Sequence, residues 1–372
     1  MLGEMGLEGM SAGFRFNSDL LRSEPDRNSA QAAYPDIAFA LDHPELRALF
    51  EPIDDAANAA KKRGRRRGIE AVCMVSLALL ITAWMPLFEH EPLWMRQALA
   101  ATGAALGLIG GYLGLSGVLF GEAKHAWLRN RFATERLRQL HFQSLIALAP
   151  LVMKAAESGD RAPFLEARAA ALARFDSEQL AHLDAKLAGV LSRDVGEEPW
   201  LLDVAFDPAA QGAHLSGYLD ALAHLRIDHQ IDFAEYMLSS DAKLFSKLPF
   251  QQIRIIDGAA LGCVLMLLVL DVLVLAGVAA GAAPLLLVLA HCGAISFAIV
   301  ALALRTLEEG LQPHREVERY RQYSASLRLI RARFRSATSS VEKLTALKEL
   351  EDLSYAEMVS FLNSNHEAKF IM

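Results

Sequence analysis

The sequence is poor in the features that mark secreted or metal-bearing folds. Among 372 residues there are three cysteines, Cys73, Cys263 and Cys292, and none falls in a loop where a disulfide would staple an extracellular domain. No CxxC, no cysteine–histidine cluster with zinc spacing and no HExxH occurs, so no metal site is expected. The phosphate-cradling GxxxxGK[ST], the dinucleotide fingerprint GxGxxG and the nucleophile elbow GxSxG are missing too. Without them neither catalytic residues nor a cofactor are expected, and the chain does not read as an enzyme. Alternating Val/Thr/aromatic runs are also lacking, which excludes a sheet and leaves an all-α reading.

What the sequence has in excess is apolar length. Hydrophobic residues make up 53% of the chain and its mean hydropathy is +0.23. The excess sits in four blocks, 69–88, 97–120, 255–278 and 284–304, each close to the roughly 20 residues that cross a bilayer. Cations flank one end of every block: the run KKRGRRR at 61–67 before the first, Lys124, Arg129 and Arg131 after the second, Lys243, Lys247 and Arg254 before the third, Arg305 and Arg315 after the fourth. The basic ends of spans face the cytoplasm, so two hairpins with both termini inside, in a bacterial inner membrane, is the expected topology. The same rule accounts for the KKRGRRR run, and no nucleic-acid partner is expected.

The expected architecture is an all-α integral membrane protein with four transmembrane helices in two hairpins plus a cytoplasmic helical bundle. Residues 1–33 read as a disordered tail, 34–140 as a first helix–hairpin–helix unit, 141–213 as a cytoplasmic helical insertion and 214–372 as a second helix–hairpin–helix unit. In the insertion, Asp176 and Ser177 are plausible helix caps, and Trp200 and Phe206 are candidates for core packing or partner docking.

Three features could carry function. Gly103, Gly107, Gly110, Gly114, Gly117 and Gly121 are spaced alternately by four and three, so on one helix they form a single stripe. In lipid, where the hydrophobic effect cannot drive helices together, small residues admit another backbone. The partner is either a span of the same chain or a second protomer. Asp271 and His291 each lie ten residues from Gly281 at the outer turn, which places both near mid-bilayer at equal depth. They read either as a pore-lining, proton-sensitive pair or as a structural interhelical hydrogen bond. Finally, Glu135, Arg136 and Arg138 in ERLRQ recur as Glu318, Arg319 and Arg321 in ERYRQ at an offset of 183 residues. Each copy follows a hairpin, as an internal duplication would arrange it.

These motifs carry a resemblance. YLDALAHLRIDHQIDFAEYML (218–238), a hairpin, ERYRQYSASLRLIRARF (318–334) and LKELEDLSYAEMVSFL (347–362) follow one another in an order similar to the SLATT family of bacterial two-span proteins, and RFATERLRQ (131–139) resembles a run that follows the SLATT hairpin. Typical members carry a single hairpin, whereas this chain carries two. The resemblance implies an effector of bacterial conflict or antiphage defence that perforates or depolarises the inner membrane as a homo-oligomer. A cytosolic sensor protein or a nucleotide second messenger would be the trigger. The alternative is a membrane-anchored, non-conducting scaffold or sensor that recruits cytosolic partners.

Overall fold

The computed structural model describes residues 14–119, 121–192, 199–202, 214–239 and 248–367. Among them no strand occurs, and the chain is helical: α1 (Glu24–Ala33), α2 (Ala38–Leu41), α3 (Pro44–Trp84), α4 (Leu93–Leu119), α5 (Glu122–Ala147), α6 (Ala149–Ser158), α7 (Ala162–Phe175), α8 (Leu183–Ser192), α9 (Leu215–Leu222), α10 (His229–Leu238), α11 (Pro249–Ala279), α12 (Pro284–Leu311), α13 (Pro313–Ser336) and α14 (Ser340–Glu367). Four of these carry windows long and apolar enough to cross a membrane, in α3, α4, α11 and α12.

The chain divides into two compact units, each stitched from separate stretches: 1–57, 128–239 and 318–366 form one, 58–127, 240–317 and 367–372 the other. Each unit draws together stretches far apart in the sequence, the second holding both apolar hairpins.

The first unit is a helical bundle around one core. Phe50 of α3, Leu137 and Phe142 of α5, Val152 of α6, Phe164 of α7, Tyr218 of α9, Leu327 of α13 and Leu350 of α14 are all buried in it. Helices α6 and α7, expected to belong to a separate insertion, therefore share this core. Asp176 and Ser177 do not cap a new helix; the chain runs on from α7 through a π-turn, Asp176–Leu180, with Asp176 in helical conformation. Trp200 packs against the same core and donates to Asp352 Oδ1 at 2.7 Å, while Phe206 lies outside the described residues.

Part of the expected tail is folded. Residues 1–13 lie outside the described residues, but Ser18–Leu20 form a 3-10 turn and Ser23 opens α1 with a reciprocal capping box to Asp26. That box satisfies two backbone donors that water would otherwise take. Leu20 and Leu21 are buried in the bundle core, so apolar burial repays the ordering of this arm.

The second unit holds both hairpins. Gly281 turns the second at φ +68°, a backbone conformation that glycine adopts without strain, and Pro284 starts α12 where no N–H is needed. Large apolar side chains such as Leu261, Leu265, Val272, Leu275 and Leu286 point outward. A lipid solvent accounts for an apolar exterior that water would penalise.

Candidate functional site

Gly103, Gly107 and Gly110 of α4 all face α3. A Cβ at Gly103 would sit 3.4 Å from Ile81 Cγ2, one at Gly107 3.6 Å from Ala78 Cβ, and one at Gly110 2.8 Å from Val75 Cγ2 and 3.0 Å from the Val75 backbone nitrogen. This part of the stripe is filled by the chain's own first span. Gly114 and Gly117 continue along α4, but Gly121 does not, because α4 ends at Leu119 and Gly121 sits beyond it at φ +31°. It breaks the chain between α4 and α5 instead of lining a helix face. Gly111, off the stripe, faces open space.

Side chains tie the spans together at their basic ends. Arg65 of α3 donates to Gln252 of α11 at 2.9 Å, and, within the second hairpin, Arg305 of α12 donates to Asp257 of α11 at 3.2 Å. From Arg65, α3 runs to Trp84, about 29 Å at 1.5 Å per residue, and the 3-10 turn Met85–Phe88 adds about 8 Å at about 2 Å per residue before the exposed Glu89, His90 and Glu91. From Gln252, α11 runs to Ala279, about 40 Å, so the two hairpins reach nearly the same height. The Trp84 indole donates to Ser296 at 2.8 Å, a residue about 18 Å along α12 from its start at Pro284.

Asp271 and His291 lie in α11 and α12. Both are exposed on the second hairpin and both line one open groove of about 290 Å³, with Leu267, Ala294, Ile295 and Ala298. Neither makes a hydrogen bond or ion pair to another described residue, so the structure does not join them to each other. Counting up from the shared base, Asp271 stands 19 residues above Gln252, as Trp84 stands 19 above Arg65. It therefore lies near the height of Trp84, about 12 Å along α11 short of Ala279. Cys73, Cys263 and Cys292 are all unpaired, and only Cys292 is buried.

At the basic end, Asp257, Glu308 and His314 present ligand atoms within 4.8 Å of one another. Arg305 already bridges Asp257 and Glu308, and His314 Nε2 lies 3.1 Å from Glu308, so a cation of the chain itself already stands between the two carboxylates.

The repeated motifs land in the bundle. Arg136 lies over the Tyr355 ring at 5.2 Å and Arg319 over the Phe361 ring at 4.7 Å, so the first arginine of each copy rests on an aromatic of α14. The second arginines diverge. Arg321 is exposed, 4.0 Å from Glu318, whereas Arg138 is buried between Glu135 at 3.2 Å and Asp19 at 3.1 Å.

This last pairing is the centre of a buried polar network that the sequence did not announce. Asp19 is fully buried, with His229 Nε2 3.6 Å away; burial raises its carboxyl, but Arg138, His229, Arg226 and His141 outweigh burial and hold it below its usual range. Arg226 and Glu351 form a second buried pair at 2.7 Å, in which burial wins and pushes the Glu351 carboxyl up. Arg226 sits in a π-turn, Ala223–Asp228, between α9 and α10. His43 and His141 lie 6.0 Å apart, ring to ring, and neither ring nitrogen of His141 has a hydrogen-bond partner among the described residues. Burial lowers His141 to about 4 and His43 to about 2, so both are neutral near pH 7.

These observations define an all-α chain with four helices long and apolar enough to cross a membrane and a helical bundle with a charged interior. The chain matches no family model, no curated protein and no solved structure.

Proposed function

We propose that the chain is a membrane effector which assembles with copies of itself and perforates or depolarises a bacterial inner membrane, in the manner the SLATT resemblance implies. The basic ends of all four spans and both termini are cytoplasmic in this reading, and a cytosolic partner or nucleotide signal acts on the bundle. The observation that carries it is a pair of ionisable side chains, Asp271 and His291, exposed on apolar spans with no partner among the described residues.

Asp271 and His291 support self-assembly from the same site. An unpaired carboxylate in hydrocarbon costs at least about 2.5 kcal/mol, and neither residue has a partner among the described residues. A second copy related by a two-fold axis sets Asp271 against the partner's His291, a self-complementary contact that a closed dimer requires.

The test is inducible expression in bacteria with a membrane-potential dye, alongside the neighbouring genes. Collapse of the potential is expected for the wild type, with a several-fold slower collapse for Asp271→Ala. A potential that never falls would sink the effector reading and leave a non-conducting scaffold.

A further inference from the structure

The run KKRGRRR lies within one continuous helix, so its six cations do not share one environment. Lys61, Lys62, Arg63, Arg66 and Arg67 are exposed and only Arg65 is half-buried, and Arg66 is paired with Glu70 at 2.7 Å. Lys61 and Arg65, four residues apart, occupy a common face that meets the rest of the unit: Lys61 lies 5.5 Å over the Trp127 ring of α5, and Arg65 is half-buried against Gln252 of α11. Charge balance for span topology requires only that cations be present. It does not require one to be drawn out of water.

Arg65 is the anomaly. Its single partner among the described residues is a neutral amide oxygen, and no described carboxylate lies within ion-pair distance. Burial lowers its pKa, opposed only by Glu316 from farther away. A guanidinium offers five N–H donors in a planar fork, and one is used. A half-buried cation held by a neutral oxygen is stable when an anion completes its shell.

We propose that Arg65, with Lys61 beside it, is a binding site for the phosphate of an anionic phospholipid headgroup. Position selects the lipid over a free anion. Arg65 stands four residues before the first apolar span at Ile69, about 6 Å below it, which is headgroup depth. Trp127 stands at the same end of the unit, and an amphipathic indole settles at that interface. Guanidinium and phosphate match in a bidentate geometry, and Gln252 fixes one edge of the fork so that the other edge is presented. The exposed cations of the run concentrate anionic lipid around the site without holding it.

The distinction between holding and concentrating sets the experiment. The full chain is purified in nanodiscs of phosphatidylcholine alone or with added phosphatidylglycerol, and lipid retained after detergent extraction is read by native mass spectrometry at low salt and at about 1 M salt, where exposed charges are screened within about 3 Å. Wild type and Arg63→Gln are expected to retain phosphatidylglycerol at both salt concentrations. Arg65→Gln is expected to lose it at high salt by about tenfold, with unchanged helical circular dichroism in phosphatidylcholine, and Arg65→Lys to keep an intermediate level. Retention by Arg65→Gln equal to that of wild type at high salt overturns the site. Inorganic phosphate that displaces the lipid at millimolar concentration overturns the choice of lipid as its ligand.

Discussion

At the residue scale, the bundle depends on charges withdrawn from water in pairs. Breaking a buried pair by removing one partner is more costly than never having formed it, because the survivor is stranded. Asp19→Ala leaves Arg138 with Glu135 as its one close carboxylate beside the neutral Asn17 amide oxygen, and Glu351→Gln removes the charge opposite Arg226. Each is expected to lower unfolding stability by about 3 kcal/mol, read by thermal or denaturant unfolding in detergent. The histidines add a pH dependence whose sign is fixed. In the folded state His141 sits near 4, below its unfolded value of about 6.5, so the unfolded chain takes up protons first on acidification. The stability it contributes is complete above about pH 6.5 and is lost as pH falls toward 4; between pH 7 and pH 5 that loss is about 2 kcal/mol. His141→Phe is expected to flatten the slope of stability against pH over that window, and an unchanged slope would assign the dependence elsewhere.

None of these pairs was legible in the sequence. Periodicity reports which face of a helix is apolar, and Arg138 or His229 on such a face looks like any solvated charge until a distant segment covers it. Asp19 lies in a stretch whose polar composition resembles a disordered tail. Its order comes from Leu20 and Leu21 entering a core assembled by helices more than 100 residues away, information that no local pattern contains.

At the scale of the element, the spans were legible because length and hydropathy are local properties: the described residues of the four apolar blocks lie within α3, α4, α11 and α12, apart from the end of the first, where α3 gives way to a 3-10 turn. The glycine stripe was legible as a contact face, but not its occupant. The structure grades the stripe position by position. At Gly110 an added Cβ meets backbone and a branched side chain, whereas at Gly107 it meets ordinary van der Waals contact and at Gly111 nothing. Gly110→Ala is therefore expected to push α4 off α3 and cost about 1–3 kcal/mol. Gly107→Ala and Gly111→Ala should fall within about 0.5 kcal/mol of wild type. Thermal unfolding of the three variants in one detergent checks the order, and equal losses at all three would mean that α4 does not rest on α3 through this face.

At the scale of the whole molecule, the functional account turns on Asp271 and His291. Asp271 lies about 12 Å along α11 from Ala279 and His291 about 10 Å along α12 from Pro284, and no described residue pairs with either. The sequence places both along their spans, but what a second copy would bring to them is not a local property. If an unsatisfied pair in hydrocarbon drives assembly, leakage must depend on it. Purified full chain reconstituted into phosphatidylcholine vesicles loaded with a self-quenching dye measures this directly. Dye release by the wild type, several-fold slower for Asp271→Ala, is the predicted result. Release that is absent, or equal for the two, would contradict it.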